Sequence, residues 1–390
     1  MARFALFRKK DQTPRPKKSS AREWLDSMIF AVVAATLIRW LTLEAFAVPT
    51  PSMEGSVMVG DFLFVSKLHY GARTPKTPLQ IPLTHQKIWG TDIPSFSEAI
   101  QLPQFRLPGF SEVKPGDVVV FNYPPVERGK RDYPTDLKTY YVKRCVGLPG
   151  ERLSIRNQQV VINGKPLPLP HRAQTSYLIR TKETLNERFF RKYGIVNDLN
   201  SEQGPFINWQ PVEAFNEATK TSESIGYQVY TSPEIAAKLK QLDWIQSVEP
   251  MIEPPGQAGP GIYGSAALPW NRDNFGPLTI PKKGTTVAID RQTIAFYGPV
   301  IERYEGNRNV QLTSESITID GKPIRSYTFR QDYYFMMGDN RHNSEDSRYW
   351  GFVPADHVVG KAVFVWMSLD PAPADLWHKV RWNRLFRPIE

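Results

Sequence analysis

The sequence predicts a mainly β protein, in which an N-terminal transmembrane helix precedes an antiparallel β core that a large β-rich insertion interrupts. The first reason is the stretch 24–43, which is mostly apolar. The second is the rest of the chain, where short runs of β-branched and aromatic residues are bounded by Gly, Pro and Asn. The third is the count of 34 prolines, which favours turns and edge strands over long helices. Because 41% of the 390 residues are hydrophobic, the chain can bury substantial cores, and wholesale disorder is excluded.

Residues 24–43 are the predicted membrane anchor. About 20 helical residues span the ~30 Å hydrocarbon core of a bilayer. Trp24 and Trp40 suit the two interfaces, and Arg39 can extend its charge toward one of them. Residues 1–22 carry eight Lys or Arg and one acid, so residues 1–23 are predicted to form a basic cytoplasmic tail. A single-pass orientation follows, with the chain after Leu43 on the outer side of the membrane.

Two other interpretations of the apolar stretch stay open. A cleavable signal peptide is one, because Ala45-Phe46-Ala47 has the A-x-A pattern of a cleavage site. The uncleaved anchor is favoured over it, since the apolar stretch and its leading tail are both longer than such a peptide needs. A buried helix of a soluble protein is the other, and the charge asymmetry beside the stretch argues against it.

Composition narrows the classes of partner and cofactor that the protein could bind. The net charge of +10 fits anionic lipid better than nucleic acid, because the basic residues are not interleaved with a DNA- or RNA-binding motif. The single cysteine, Cys145, excludes an intrachain disulfide and a CxxC metal site. The six histidines show no H-E-x-x-H or comparable spacing. No metal or organic cofactor is therefore implied.

Local patterns assign several elements. Strands are predicted in DFLFVSKLHYG (61–71), at the end of 113–121, at 140–146 and at 152–155. Asn163-Gly164 predicts a hairpin turn within 158–170, and Asp320-Gly321 looks like the same kind of turn. A helical pattern covers Pro233–Leu242, whereas Lys283–Val300 is predicted to form strands. Residues 371–390 form a basic, aromatic C-terminal tail, which either lies on a membrane surface or packs on the domain as a helix.

Two short motifs carry the chemistry. Ser52 follows Pro49-Thr50-Pro51 directly behind the apolar stretch, and Lys143-Arg144 lies within a predicted strand. A serine needs a base to become a nucleophile, and a buried, neutral lysine can serve as one. Taken alone, the first motif would be interpreted as an ordinary turn. The second would be interpreted as the solvent-exposed edge of a strand. Together they predict a Ser–Lys hydrolase that works beside a membrane.

Four segments, in this order, resemble those of the bacterial type I signal peptidases, also called leader peptidases. They are Pro49–Met53 with Gly60-Asp61, then Gly116–Phe121, then Tyr141–Arg144 with Gly147–Glu151, and finally Met337–Pro354. The resemblance covers roughly residues 22–170 and 325–368. It divides the chain into a catalytic β core at 44–166 and 327–370 and an inserted second domain at 167–326.

The resemblance assigns roles to particular residues. It implies that Ser52 is the nucleophile, that Lys143 is the general base and that Ser344 hydrogen-bonds the lysine. Asp346 and Arg348 would form an ion pair that braces the loop carrying Ser344. Thr50, beside the Ser52 N–H, would complete the oxyanion hole. Four residues fall where the family lines shallow pockets for small side chains: Phe46, Val48, Val120 and Val142.

The implied function is removal of signal peptides from exported preproteins at the outer, periplasmic face of a bacterial inner membrane. This chain departs from the family where Pro51 replaces a common Gly and His342 a frequent Asp. Two rivals are a self-cleaving Ser–Lys protease of the repressor type and an inactive membrane-anchored scaffold. A Ser-His-Asp triad using His342 or His357 lacks the G-x-S-x-G elbow that would support it.

Overall fold

The computed structural model describes residues 19–126, 131–198, 205–216, 220–265, 267–370 and 379–389. The predicted basic tail 1–23 therefore lies mostly outside the described residues, as does the first part of the C-terminal tail. The helices are α1 (Ser20–Leu41), α2 (Glu187–Lys192), α3 (Pro233–Lys240), α4 (Arg291–Arg303) and α5 (Ser347–Trp350).

The described residues are mainly β, as predicted. The strands of the N-terminal half are β1 (Leu43–Ala47), β2 (Asp61–Ser66), β3 (Val118–Asn122), β4 (Tyr140–Gly147), β5 (Arg152–Arg156), β6 (Gln159–Ile162), β7 (Lys165–Pro166) and β8 (Thr175–Thr181). Those of the middle are β9 (Trp209–Asn216), β10 (Thr221–Thr231), β11 (Ile245–Pro250), β12 (Phe275–Thr279), β13 (Thr286–Ala288), β14 (Val310–Leu312), β15 (Ile317–Ile319) and β16 (Lys322–Ile324). The remainder are β17 (Ser326–Thr328), β18 (Tyr333–Met337), β19 (Val353–Pro354), β20 (Val358–Ser368) and β21 (Arg387–Pro388).

Helix α1 has the length and apolar composition needed to cross a membrane, and none of its residues is buried in the protein. It begins four residues before the predicted anchor and ends at Leu41. The Thr42 N–H still bonds the Ile38 carbonyl, and the chain then passes directly into β1. Ala45-Phe46-Ala47, the A-x-A pattern, thus lies in a strand that pairs with β2.

The largest sheet is antiparallel, with strand order β1-β2-β20-β3-β4-β18-β19, and β21 pairs with β20. All five residues of β3 are buried, as expected for a central strand of β-branched and aromatic residues. The long strand β20 lies between β2 and β3 and joins the two halves of the sheet. This arrangement places the segment after β1 beside the middle of β4.

The middle of the chain builds further sheets. Strands β12, β5, β6 and β7 form one, and its apolar core includes α4 together with residues of the large sheet such as Val146 and Phe335. Strands β11, β8, β10 and β9 form another, with a separate core around Ile179 and Phe190. The first of these sheets therefore shares a core with the large sheet, and the second has a hydrophobic core of its own. The division into a catalytic core at 44–166 and 327–370 and an inserted domain at 167–326 stays a prediction.

Both predicted hairpin turns are present. Asn163-Gly164 and Asp320-Gly321 all have positive φ angles, which is the conformation that joins β6 to β7 and β15 to β16. The helical pattern at 233–242 is confirmed by α3. The strand prediction for 283–300 is wrong beyond β13, because α4 begins at Arg291.

The described part of the C-terminal tail packs on the large sheet and contains a 3₁₀ turn at Trp382–Arg384. Strand β21 pairs with β20 at Phe364 and Val365. Arg384 is buried and forms an ion pair with Asp61 at the start of β2. Trp382 and Phe386 are exposed. Residues 371–378 lie outside the described range, so the membrane-surface interpretation of the tail stays a prediction.

Candidate active site

The segment after β1 positions Ser52 in a single turn of 3₁₀ helix, Pro51–Met53. Pro51 suits this turn because its fixed φ matches the first helical position. Thr50 is extended, with φ −129° and ψ 151°, as a residue before proline should be. The three residues of the turn are buried, and Ser52 is 7% exposed. The serine hydroxyl is therefore held in place while a small opening to solvent remains.

Lys143 approaches Ser52 from β4. It pairs with Val119 of the buried strand β3, and its side chain is 3% exposed. Its Nζ lies 2.6 Å from Ser52 Oγ, although 91 residues separate the two in sequence, and it also donates a 3.1 Å hydrogen bond to the Val142 carbonyl. Burial lowers the pKa of Lys143 from 10.5 to about 8, against the opposing effect of the Asp346 and Glu345 carboxylates. A neutral amine is thus accessible near physiological pH.

The Thr50 hydroxyl lies 3.4 Å from Ser52 Oγ. It is therefore on the same side of the turn as the hydroxyl that would attack a carbonyl. A hydroxyl at this place can donate to negative charge that develops beside the serine oxygen, together with the Ser52 N–H.

The loop after β18, residues 338–346, holds the backbone of the serine turn. The Asn340 N–H donates to the Ser52 carbonyl at 3.1 Å, and the Asn340 amide donates to the Pro51 carbonyl at 3.2 Å. Gly338 packs so closely that a Cβ atom there would lie 2.4 Å from the Ser52 carbonyl oxygen and 2.2 Å from Ser344 Oγ. The glycine is therefore required for the loop to reach the turn.

Asp346 and Arg348 brace this loop from within the protein. Both are almost fully buried, and two hydrogen bonds of 2.8 Å join the guanidinium to the carboxylate. Burial alone would raise the pKa of Asp346, but the charge and hydrogen bonds of Arg348 hold this pKa below its ordinary value. The carboxylate also accepts from the Gly338 N–H at 3.0 Å. The ion pair thus fixes the loop at the residue that touches the serine turn.

Ser344 lies against Gly338, but among the described contacts its hydroxyl has only a 3.5 Å hydrogen bond to the Glu345 carbonyl. The described residues show no hydrogen bond between Ser344 and Lys143. The structure therefore brings Ser344 to the site without the contact that the resemblance implies.

The predicted pocket residues come together. Val48 and Val120 belong to one apolar cluster, and Phe46 and Val142 pack against it half-buried. Val120 pairs with Val142 across β3 and β4, while Phe46 lies in β1. A small apolar surface therefore lies on the strands that flank Ser52 and Lys143.

A second buried ion pair was not assigned a role from the sequence. Arg144, next to the lysine, binds Asp339 through hydrogen bonds of 2.7 and 2.9 Å and donates to the Gly116 carbonyl. It ties β4 to the same loop that holds Ser52. Arg144 and Asp339 both stand in the motifs quoted above. Their pairing could not be predicted, because only the fold brings β4 close to the loop after β18.

His342 forms hydrogen bonds in the order of a serine-protease triad without the access that a triad needs. Its Nε2 lies 2.6 Å from Asp273 Oδ1, and its Nδ1 is in contact with Ser176 Oγ. The Ser176 N–H also points at Nδ1, which must then accept, so the ring is neutral. Burial also lowers the pKa of His342, which favours the same neutral form of the ring. Because Ser176 is fully buried, the group serves to fasten the loop 338–346 to the insertion.

No cluster of three or more His, Cys, Asp or Glu placed to hold a metal occurs within the described residues. The fold and the contact between Ser52 and Lys143 are compatible with a serine hydrolase.

The chain belongs to the signal peptidase family, peptidase S26, whose model matches residues 21–203 and 278–367. Signal peptidase I of Helicobacter pylori J99 is 24% identical over 382 residues, which cover 95% of this chain and 94% of that protein. Signal peptidase I of Buchnera aphidicola from Acyrthosiphon pisum is 25% identical over 90% of this chain and 77% of its own length. Signal peptidase I of Rickettsia massiliae is 25% identical over 90% of this chain and 81% of its own length.

Proposed function

We propose that this protein is a membrane-anchored serine endopeptidase that removes N-terminal signal peptides from exported preproteins. The observation that carries the proposal is the 2.6 Å contact between the Ser52 hydroxyl and a buried lysine amine behind an apolar helix. Similarity to signal peptidase I over most of the chain supports the substrate class. No cofactor enters the scheme.

The chemistry follows from the two side chains. Neutral Lys143 takes the Ser52 proton as the oxygen attacks the scissile carbonyl, and the lysine then returns a proton to the leaving amine. In the second half, the lysine takes a proton from water as the water attacks the acyl-serine, and it returns this proton to the Ser52 oxygen as the acid product leaves. The Ser52 N–H and the Thr50 hydroxyl stabilise the oxyanion. Ser344 is the positioning residue for the lysine in this scheme, a role that needs a hydrogen bond which the described contacts do not include.

Specificity would come from the apolar surface of Phe46, Val48, Val120 and Val142. Shallow pockets between these strands admit small side chains, so the scissile bond would follow a small residue, with another small residue two before it. Helix α1 would place the site beside the bacterial inner membrane. The N-terminus would be cytoplasmic and the catalytic domain on the periplasmic face.

The first test is substitution of the two reacting groups. We expect Ser52→Ala and Lys143→Ala each to lower preprotein cleavage by at least about 10³-fold, because each removes a group needed for proton transfer or attack. The measurement is cleavage of a signal-peptide-bearing substrate by the purified, detergent-solubilised protein. Thermal unfolding checks that both variants stay folded.

His342→Ala is the matched control. It perturbs the loop but leaves the proton path intact, so it should cost far less activity than Lys143→Ala. Wild-type cleavage by either dyad variant, or equal losses in all three, would contradict the Ser–Lys mechanism and favour an inactive scaffold or a histidine base.

A further inference from the structure

A basic cavity of about 470 Å³ lies beside the turn that carries Ser52. Gly55 and Ser56, which follow this turn, form part of its wall. Five basic residues also line it: Arg144, His171, Arg172, Arg341 and Arg387. None of the described lining residues is acidic. Because a cleft with charges of one sign concentrates ions of the other sign, the cavity favours a negatively charged ligand.

Arg341 brings a buried charge to this cavity. The residue is 5% exposed, and its Nε and Nη1 atoms have no hydrogen-bond acceptor among the described residues. Such donors cost free energy inside a protein, because they have lost their water without gaining another partner. Burial accordingly lowers the pKa of Arg341 from 12.5 to about 10. The guanidinium is still charged at neutral pH, so an anion beside it would be stabilising.

The two buried carboxylates that attract Arg341 are already bonded to other arginines. Asp339 pairs with Arg144, and Asp346 pairs with Arg348. The loop after β18 and its two arginine partners thus hold three buried guanidinium groups against two buried carboxylates. A water molecule could accept hydrogen bonds from the third guanidinium but could not balance its charge.

The surroundings of Arg341 indicate where an anion would bind and of what kind. Arg341 also lines a second cavity, of about 170 Å³, but the other residues described there are neutral. In the basic cavity, His171 and Arg172 are exposed, so an anion in solution can enter past them. Guanidinium groups match the oxygens of a phosphate group through paired hydrogen bonds. A phosphate group therefore suits the basic cavity best.

We propose that this cavity binds a phosphate group, with Arg341 as its buried partner and Arg172 as its partner at the opening. The ligand class includes inorganic phosphate and the phosphomonoester of a small molecule, for which a cavity of about 470 Å³ has room. The inference goes beyond the proposed function, and it needs neither the peptidase chemistry nor the membrane anchor.

The site adjoins two elements that lie against the serine turn. Arg341 belongs to the loop 338–346, and Arg172 belongs to the segment 167–172 that follows β7. This segment packs tightly on Gly55, where a Cβ atom would lie 2.1 Å from the Arg172 carbonyl oxygen. A phosphate group held by both arginines would fasten the loop to this segment, so its binding should also stabilise the folded protein.

The test measures ligand binding by the full-length protein in detergent, at pH 7 and constant ionic strength in a chloride buffer. Inorganic phosphate and glycerol 3-phosphate are titrated separately by isothermal titration calorimetry. The variants are Arg341→Gln and Arg172→Gln, and the second changes only an exposed side chain. Arg188→Gln is the matched control, since Arg188 is an exposed arginine of α2 outside the cavity.

A further variant tests an occupant from the chain itself. Glu390 follows Ile389, which lines the cavity, and Glu390 lies outside the described residues. Glu390→Gln removes this carboxyl group and is titrated in the same way.

We expect one phosphate group to bind per chain with a Kd of about 1 mM or tighter. Arg341→Gln and Arg172→Gln should each raise this Kd at least about tenfold, because each removes charged hydrogen-bond donors, whereas Arg188→Gln should change it less than about twofold. The tighter of the two ligands identifies the source of the phosphate group. Phosphate should also raise the Tm of the parent protein more than that of Arg341→Gln.

Three results would overturn the proposal. The first is a titration without saturable binding. The second is an equal loss of binding in all three arginine variants, which would indicate attraction to the net charge alone. The third is binding that appears only in Glu390→Gln, because the chain's own carboxylate would then occupy the cavity.

Discussion

Burial shifts the Lys143 amine toward its neutral form, which is the form of an amine that can accept a proton. The side chain lies on a strand whose partner, β3, is entirely buried, and the Tyr141 ring centroid is 5.4 Å from Nζ. Burial lowers the pKa to about 8, whereas the carboxylates of the loop 338–346 keep it from falling further. The pKa therefore reflects a balance between apolar packing and nearby acidic residues.

A pH dependence follows from this balance. Below about pH 8 the lysine is protonated and cannot accept the Ser52 proton, so kcat/KM should fall about tenfold per pH unit on the acid side. Glu54 is a second group that titrates in this pH range, because burial raises its pKa to about 7. We expect Glu54→Gln to retain the limb near pH 8 when kcat/KM is measured from pH 5 to 10. Loss of the limb in Glu54→Gln, or in His342→Ala, would assign it to another group.

The proximity of Ser52 and Lys143 could be predicted from sequence because each stands in a short motif with a recognisable context. The partners that hold them could not. Asn340 bonds the Ser52 carbonyl from 288 positions away in the chain, and Arg144 meets Asp339 across two strands and a loop. Motif residues such as Gly338 were visible, but their close approach depends on tertiary packing that no local pattern encodes.

At the scale of elements, the residues of the tight turns predicted both hairpins correctly, whereas the residue pattern of one helix was interpreted as strands. The Asn-Gly and Asp-Gly turns require positive φ at both positions and therefore specify their hairpins. Helix α4 was missed because Ile, Thr and Val suggest strands and Pro299 lies inside it. Its start was nevertheless encoded, since Asp290 and Thr293 form a capping box.

The loop 338–346 holds the serine turn. Arg348 braces this loop and Ser344 lies in it, and two substitutions separate the roles of these residues. Arg348→Ala leaves the Asp346 carboxylate buried and unpaired, which should destabilise the fold by about 3–5 kcal/mol and lower activity. Ser344→Ala removes one hydroxyl without stranding a charge, so its effect should be on kcat alone. Thermal unfolding and kcat are measured for both variants. An unchanged Arg348→Ala protein, or an unaffected kcat in Ser344→Ala, would refute the respective role.

At the scale of the whole molecule, the mainly β class and the apolar N-terminal helix could be predicted from composition and one apolar stretch. The second hydrophobic core of the insertion, around Ile179 and Phe190, could not be located, because its strands carry no chemical motif. The contacts of His342 with Asp273 and Ser176 give the insertion one physical link to the site.

The orientation of the molecule is open to direct test. The basic excess before α1 predicts a cytoplasmic N-terminus, so protease added outside spheroplasts should degrade the region after Leu43 and spare the tail before Trp24. The fragments are identified with antibodies to each region. The reverse protection pattern would refute this orientation, and a mature N-terminus at Val48 would establish a cleaved signal peptide instead.

Because β20 lies between β2 and β3, the ribosome completes this joining strand long after it has made Ser52 and Lys143. A nascent chain that still lacks β20 is therefore expected to be inactive, as a protease precursor is before its activation. Its own Ala45-Phe46-Ala47 would be paired in β1 before the enzyme becomes competent to cut. We expect chains stalled after residue 350 to show no cleavage of substrate or of themselves, whereas chains released after residue 389 cleave substrate. Activity in the stalled chains would show that timing gives no such protection.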